Sequence, residues 1–208
     1  MYSFFMHDNS DNNHGYEYML DFQMSWILRI TAEISIKEKN PILYERCYGL
    51  LMKLINKSNN ENIEVLEVSV WKQWKRIDLI AHIIVKCGDI IENHLVVIEN
   101  KAYTLIHDDQ LNRYKRIIDQ EYTNNDKLKD FKNNEHYWVI TFYGYEKEDH
   151  YHEKYYELEE QCAKTCWKIL SFDDMFDDNT PTGNEQFDDF WINEWYKGSQ
   201  LIAKREPR

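Results

Sequence analysis

The chain has 208 residues, enough to bury a hydrophobic core in one α/β domain and short of a second full domain. Its 43% hydrophobic, 30% charged and 15% aromatic residues, with three prolines and six glycines, exclude a disordered or low-complexity chain, and no run reaches the ~20 apolar residues of a membrane helix. The formal charge of -12 excludes a uniformly phosphate-binding surface. Fifteen acidic and four basic side chains fall between Glu146 and Tyr196, however, which leaves the rest nearly neutral with two basic runs, WKQWKR (71–76) and RYKR (113–116).

The opening MYSFFMHDNSDNNHG lacks the basic and apolar regions of a secretory signal, so the expected compartment is the cytoplasm. Residues 1–14 are expected as a flexible arm. From 16 to 31, Leu20, Met24, Ile27 and Leu28 form one apolar stripe, the pattern of a buried helix. After Asn40-Pro41 the segment PILYERCYGLLMKLI resumes a helical pattern up to the polar loop NKSNNEN.

The period then changes. Residues 63–71 (IEVLEVSVW) alternate as a strand does, 76–85 (RIDLIAHIIV) are rich in β-branched residues, and 94–101 (HLVVIENK) form a short apolar run that ends in charges. With a turn at Cys87-Gly88-Asp89, these predict a three-stranded meander. Residues 105–122 place Leu111, Tyr114 and Ile118 on one helical face, and 136–144 (HYWVITFYG) return to strand character, parallel to a neighbour after the crossover. An acidic connection, a short strand or turn around CWKILSF (162–172) and an aromatic helix over 185–202 complete the chain. That helix, with Phe187, Phe190, Trp191 and Trp195, suits a dimer interface or its own domain equally. The order is α-β-β-β-α-β, an α/β fold with a mixed central sheet, a helical N-terminal segment and an acidic C-terminal extension. A single domain over 1–208 is expected, with 16–144 as its core.

The four cysteines are scattered and are expected as reduced thiols; Cys162 and Cys166, near His150 and His152, match no standard zinc spacing. The chemistry lies elsewhere. In an extended strand Glu99 and Lys101 project to one face with Asn100 turned away, and Asp78 of the neighbouring strand can lie beside them. Charges so close to a core are costly unless paired or bound to metal. Two converging carboxylates suit a hard cation such as Mg²⁺ or Mn²⁺, and a nearby ammonium suits a developing phosphoryl charge. His82 falls on the same face and is expected as a packed side chain.

Asp78 followed by Glu99-Asn100-Lys101 resembles the Asp…(Asp/Glu)-x-Lys signature of the PD-(D/E)XK nuclease superfamily, the restriction-endonuclease-like fold. Gln110 and Tyr114 resemble the Gln-x-x-x-Tyr motif of its RecB-type and lambda-exonuclease-type branch. Glu17 and Trp26 are similar to the N-terminal helix motif of a bacterial group of such nucleases, and CWKILSFDDM looks like that group's Trp…Ser-Tyr segment. Ile77 replaces the proline that often precedes the Asp.

The resemblance implies a metal-dependent nuclease that hydrolyses DNA in bacterial restriction, repair or phage defence, alone, as a homodimer or in a defence complex. Asp78 and Glu99 would be Mg²⁺ or Mn²⁺ ligands, with the backbone carbonyl of Asn100 as a third and Glu17 as an outer ligand. Lys101 would position the attacking water or stabilise the transition state. Gln110 and Tyr114 would orient the metal site or contact substrate phosphate. The alternative is a catalytically silent interaction protein that docks a basic partner through its acidic third.

Overall fold

A computed structural model of the chain describes residues 15–59, 62–101, 104–142, 144, 152–176, 178 and 180–194. Five strands, β1 (Ile63–Trp74), β2 (Ile77–Cys87), β3 (Ile90–Lys101), β4 (Glu135–Thr141) and β5 (Lys168–Ser171), form one sheet in sequence order. The first three make an antiparallel meander. The chain then crosses over through α4 (Gln110–Asn124) and α5 (Asp126–Lys129), so β4 lies parallel to β3; α6 (His152–Ala163) carries it on to β5, parallel to β4. The mixed α/β sheet is the one expected from the sequence.

Strand alternation gives the sheet two apolar faces. Leu79, Ala81, Ile83, Val96 and Ile98 face one core, which also holds Leu20, Met24, Ile27 and Leu28 of α1 (Gly15–Ile30) and Leu50 and Leu51 of α3 (Pro41–Leu54). Ile80, Leu95, Val97 and Val139 face a second core with Leu111, Tyr114 and Ile118 of α4 and Leu158 of α6. β3 is therefore covered on both sides, and its last eight residues are all buried. This burial is what confines Glu99, Asn100 and Lys101.

Two differences from the expected elements have physical causes. The connection after β4 contains α6: its buried face is only Tyr155, Leu158 and Cys162, and the acidic residues between them mask the helical period. The expected helix over 185–202 is, within the described residues, a single turn, α7 (Glu185–Phe187), followed by a π-helical stretch over Asp188–Glu194. Phe187, Phe190 and Trp191 pack against Phe172 and Phe176 of the same chain, so the described part of this segment is buried on its own domain. Trp195, His150 and residues 1–14 lie outside the described residues. All four cysteines are free thiols.

The β1–β2 hairpin matters most for the site. Trp74 pairs with Ile77, so Lys75 and Arg76 are the two central residues of the turn, both with positive φ (51° and 70°), and Gln73 just before it has φ 53°. Two-residue turns of this kind favour Asn-Gly, because a side chain in the left-handed region costs about 1 kcal/mol or more. Such strain persists only where surrounding contacts hold it.

Candidate active site

The register Leu79↔Ile98 between β2 and β3, carried one residue further, sets Asp78 opposite Glu99 on the face of the second core. Lys101 follows on the same face, and its Nζ lies 2.7 Å from Glu99 Oε1. Both side chains are buried, Glu99 at 2% and Lys101 at 5% exposure. The charge of Asp78 acts on the Glu99 carboxyl beside it. Asn100, one residue out of phase, is split between the faces. Its backbone N–H donates to Asp78 Oδ2 at 2.8 Å, while its side-chain amide donates to Asp21 Oδ1 at 2.6 Å on the α1 side.

Asp21 is the residue the sequence reading passed over. It sits on α1, is 2% exposed, and joins Asp78 through one amide: Gln73 Nε2 donates to Asp21 Oδ2 at 2.8 Å and to Asp78 Oδ1 at 3.1 Å. A signal was present. Asp21 lies three and seven residues before Met24 and Leu28, so it is a charge on the apolar stripe. Glu17, the acid favoured from the sequence, stands one turn earlier in α1, and its side chain lies outside what the structure describes.

From α4, Gln110 Nε2 donates to Glu99 Oε1 at 2.6 Å and to the Tyr114 hydroxyl at 2.9 Å. That hydroxyl donates in turn to the backbone carbonyl of Arg76 at 2.5 Å. One chain of hydrogen bonds thus runs from the Glu99 carboxylate to the strained hairpin turn. Trp167 Nε1 donates to the Leu111 carbonyl at 3.2 Å, which ties the start of α4 to the segment before β5. Gln110 and Tyr114 are both buried, so their contacts are to the protein's own groups. His82 is packed between Trp71 and Phe131, as expected.

Two carboxylates lie beside one ammonium, with a third, Asp21, behind them on the α1 side. Burial, and then the charge of Asp78, push Glu99 up to about 8 against the pull of Lys101; the same two causes push Asp21 up to about 7. Burial also raises Asp78, opposed by the Asn100 N–H and Gln73. The cluster therefore holds protons that a cation would displace. Buried oxygens with no donor point the same way: Glu99 Oε2, Asn100 Oδ1 and Gln110 Oε1 accept no hydrogen bond. Hard oxygen donors of this kind fit Mg²⁺ or Mn²⁺ in chemistry. Among the described residues, no group of three or more His, Cys, Asp or Glu is placed to hold a metal ion by itself. A cation here would therefore need oxygens beyond the carboxylates, from backbone, water or substrate.

The mixed sheet thus brings an Asp, a Glu and a Lys together at one end of its meander, braced by a Gln and a Tyr from the crossover helix. The family model described as PD-(D/E)XK nuclease superfamily matches residues 1–197, and the chain belongs to that superfamily. No curated protein matches the chain. Among solved structures, the DNA modification-dependent restriction endonuclease AspBHI is similar at a TM-score of 0.32 and 9% identity, over 94% of this chain and 44% of that one. This chain spans less than half the length of that protein.

Proposed function

We propose that this member of a nuclease superfamily is a divalent-metal-dependent nuclease that hydrolyses DNA phosphodiester bonds, in a setting of restriction, repair or defence against phage. The observation that carries the reading is the set of buried, donor-free oxygens around a two-carboxylate, one-lysine cluster on adjacent strands. A structural ion pair needs its oxygens satisfied, and here Glu99 keeps one bare. Asp78 and Glu99, with the Asn100 carbonyl, would hold Mg²⁺ or Mn²⁺, and Asp21 stands behind Asn100. When bound, such a cation lowers the pKa of water and neutralises charge on phosphate oxygens.

The chain's own residues supply the rest. Lys101 Nζ, fixed by Glu99 and shielded from bulk water, presents its remaining protons to an attacking water or to the charge growing on the phosphoryl group. Gln110 occupies one Glu99 oxygen, which would leave the other for the cation. Tyr114 fixes Gln110 and the turn together. Asn100 locks the Asp78 carboxylate from its backbone and Asp21 from its side chain.

Purified protein should cut supercoiled plasmid, linear duplex or single-stranded DNA in Mg²⁺ or Mn²⁺ and none of them in EDTA. Absence of cutting with both metals on all three would turn the reading toward the silent, docking alternative.

A further inference from the structure

A cavity lies on the sheet face that carries Glu99 and Lys101. Ile80 and His82 follow Asp78 along that face of β2, and Leu95 lies beside them on β3. With Trp71 and Trp74 of β1, and Asn125 at the end of α4, they line a space of about 200 Å³. That is room for one heteroaromatic ring system. Its wall is flat and aromatic: the His82 ring sits 4.6 Å from Trp71 and 4.4 Å from Phe131, centroid to centroid. Burial lowers the His82 imidazole to about 4, so near neutral pH this wall carries no charge.

The rim sets aromatics beside a cation. Trp71 is 43% exposed. Lys75 Nζ, which also pairs with Glu121, stands 4.9 Å from the centre of the Trp74 ring. Trp71, Trp74 and Lys75 belong to the basic run 71–76, whose turn is strained and tethered to Glu99 through Tyr114 and Gln110. Interleaved aromatic faces and ammonium groups are what a single strand needs, since the rings stack on bases and the cations meet phosphates. A duplex offers phosphates but no open base faces, since these are covered by neighbouring bases. At a rise of about 3.3 Å per residue, Ile80 and His82 lie roughly 7 and 13 Å along the strand from Asp78, the reach of one or two nucleotides of extended strand. The chain's acidity does not oppose this, because it is concentrated beyond Glu146.

We propose, building on the nuclease reading, that the substrate is an unpaired strand and that the cavity between Trp71, Trp74 and His82 takes one of its bases, about one or two nucleotides from the scissile phosphate. Strain in the hairpin then has a use, since it fixes the aromatic platform relative to Glu99.

The test is fluorescence anisotropy in Ca²⁺ with a labelled oligothymidylate and a labelled blunt duplex, using the wild type, Trp71→Ala and Trp71→Phe. The wild type binds the single strand at least about tenfold tighter than the duplex. Trp71→Ala weakens single-strand binding about tenfold to a hundredfold, the range that base stacking supplies, and Trp71→Phe recovers most of it. In wild-type protein with Mg²⁺, moving a single abasic site along a single strand slows cutting most when it lies one or two nucleotides from the cut. Equal affinity for duplex and single strand, or a folded Trp71→Ala that binds like the wild type, overturns the proposal. Duplex cutting that Trp71→Ala leaves unchanged also overturns it, and leaves the nuclease reading standing. Trp71-dependent single-strand binding with no cutting in either metal keeps the cavity as a base site and removes the nuclease reading instead.

Discussion

Asp21 and Asp78 stand on different elements and share the same Gln73 amide nitrogen, at 2.8 and 3.1 Å. That nitrogen holds the acidic face of α1 to the acidic end of the meander. Gln73→Leu removes the bridge and leaves the buried Asp21 and half-buried Asp78 carboxyls without it. It should destabilise the cation-free protein by about 1–3 kcal/mol, the cost of unsatisfied buried groups. Added Mn²⁺ should restore part of that loss. Thermal unfolding with and without Mn²⁺ measures both.

Glu99 and Asp21 give the protein an unusual pH response. Their ordinary values are 4.5 and 3.8, and in the folded chain they are pushed up to about 8 and about 7. Between those limits the folded state holds protons that the unfolded state has released, so stability falls as pH rises. The contribution is full below about pH 4 and is lost as pH passes through about 7 to 8. In EDTA the Tm should therefore decline from about pH 5 to pH 8, with a shallower decline in Glu99→Gln. Cation binding should release protons, and should raise the Tm most at the alkaline end of that range.

Tyr114→Phe cuts the link between Gln110 and the Arg76 carbonyl while keeping the ring in its core. The expected loss of stability is about 1 kcal/mol. Glu99 then keeps a less firmly held partner, so cleavage should fall about tenfold in kcat with little change in KM. Unchanged kcat would show that Tyr114 serves the core alone.

The strained turn can be relieved directly. Replacing Lys75-Arg76 with Asn-Gly gives the turn the residues it favours, and should raise stability by about 1–2 kcal/mol. The lost pairing of Lys75 with Glu121 offsets little, because that lysine is half exposed. DNA affinity should fall and depend less steeply on salt, since two cations leave the mouth of the site. Denaturant melts and salt-dependent binding read the two effects separately.

Much of this was legible in the sequence because strand alternation is a strict rule. Spacing puts Glu99 and Lys101 on one face with Asp78 beside them, and the resemblance implies Gln110 and Tyr114 on the next helix, where Gln110 meets Glu99 and Tyr114 meets Gln110. Asp21 was not found, although its place on the apolar stripe of α1 marked it as a charge with a buried partner. Its partners come from β1 and β3, 52 and 79 residues away in sequence, and no local pattern joins them. The Lys75-Arg76 turn was hidden for the opposite reason. Its residues contradict the local preference, and the Tyr114 hydroxyl that meets the Arg76 carbonyl comes from a helix 38 residues on. β5 and α6 were blurred by charge, since four glutamates lie on α6 between its three buried residues and just outside them.

The most direct test of the central claim is cleavage of single-stranded DNA in Mn²⁺ by the wild type, Glu99→Gln and Lys101→Met, each first shown to be folded by its thermal transition. Glu99→Gln is a better probe than Glu99→Ala, which strands the Lys101 ammonium in a buried site at a cost of about 3–5 kcal/mol. The site described here predicts cutting by the wild type and a loss of at least about a hundredfold in both folded variants. Cutting that survives in either variant at the wild-type rate would contradict it, and would place the chemistry away from the end of β3.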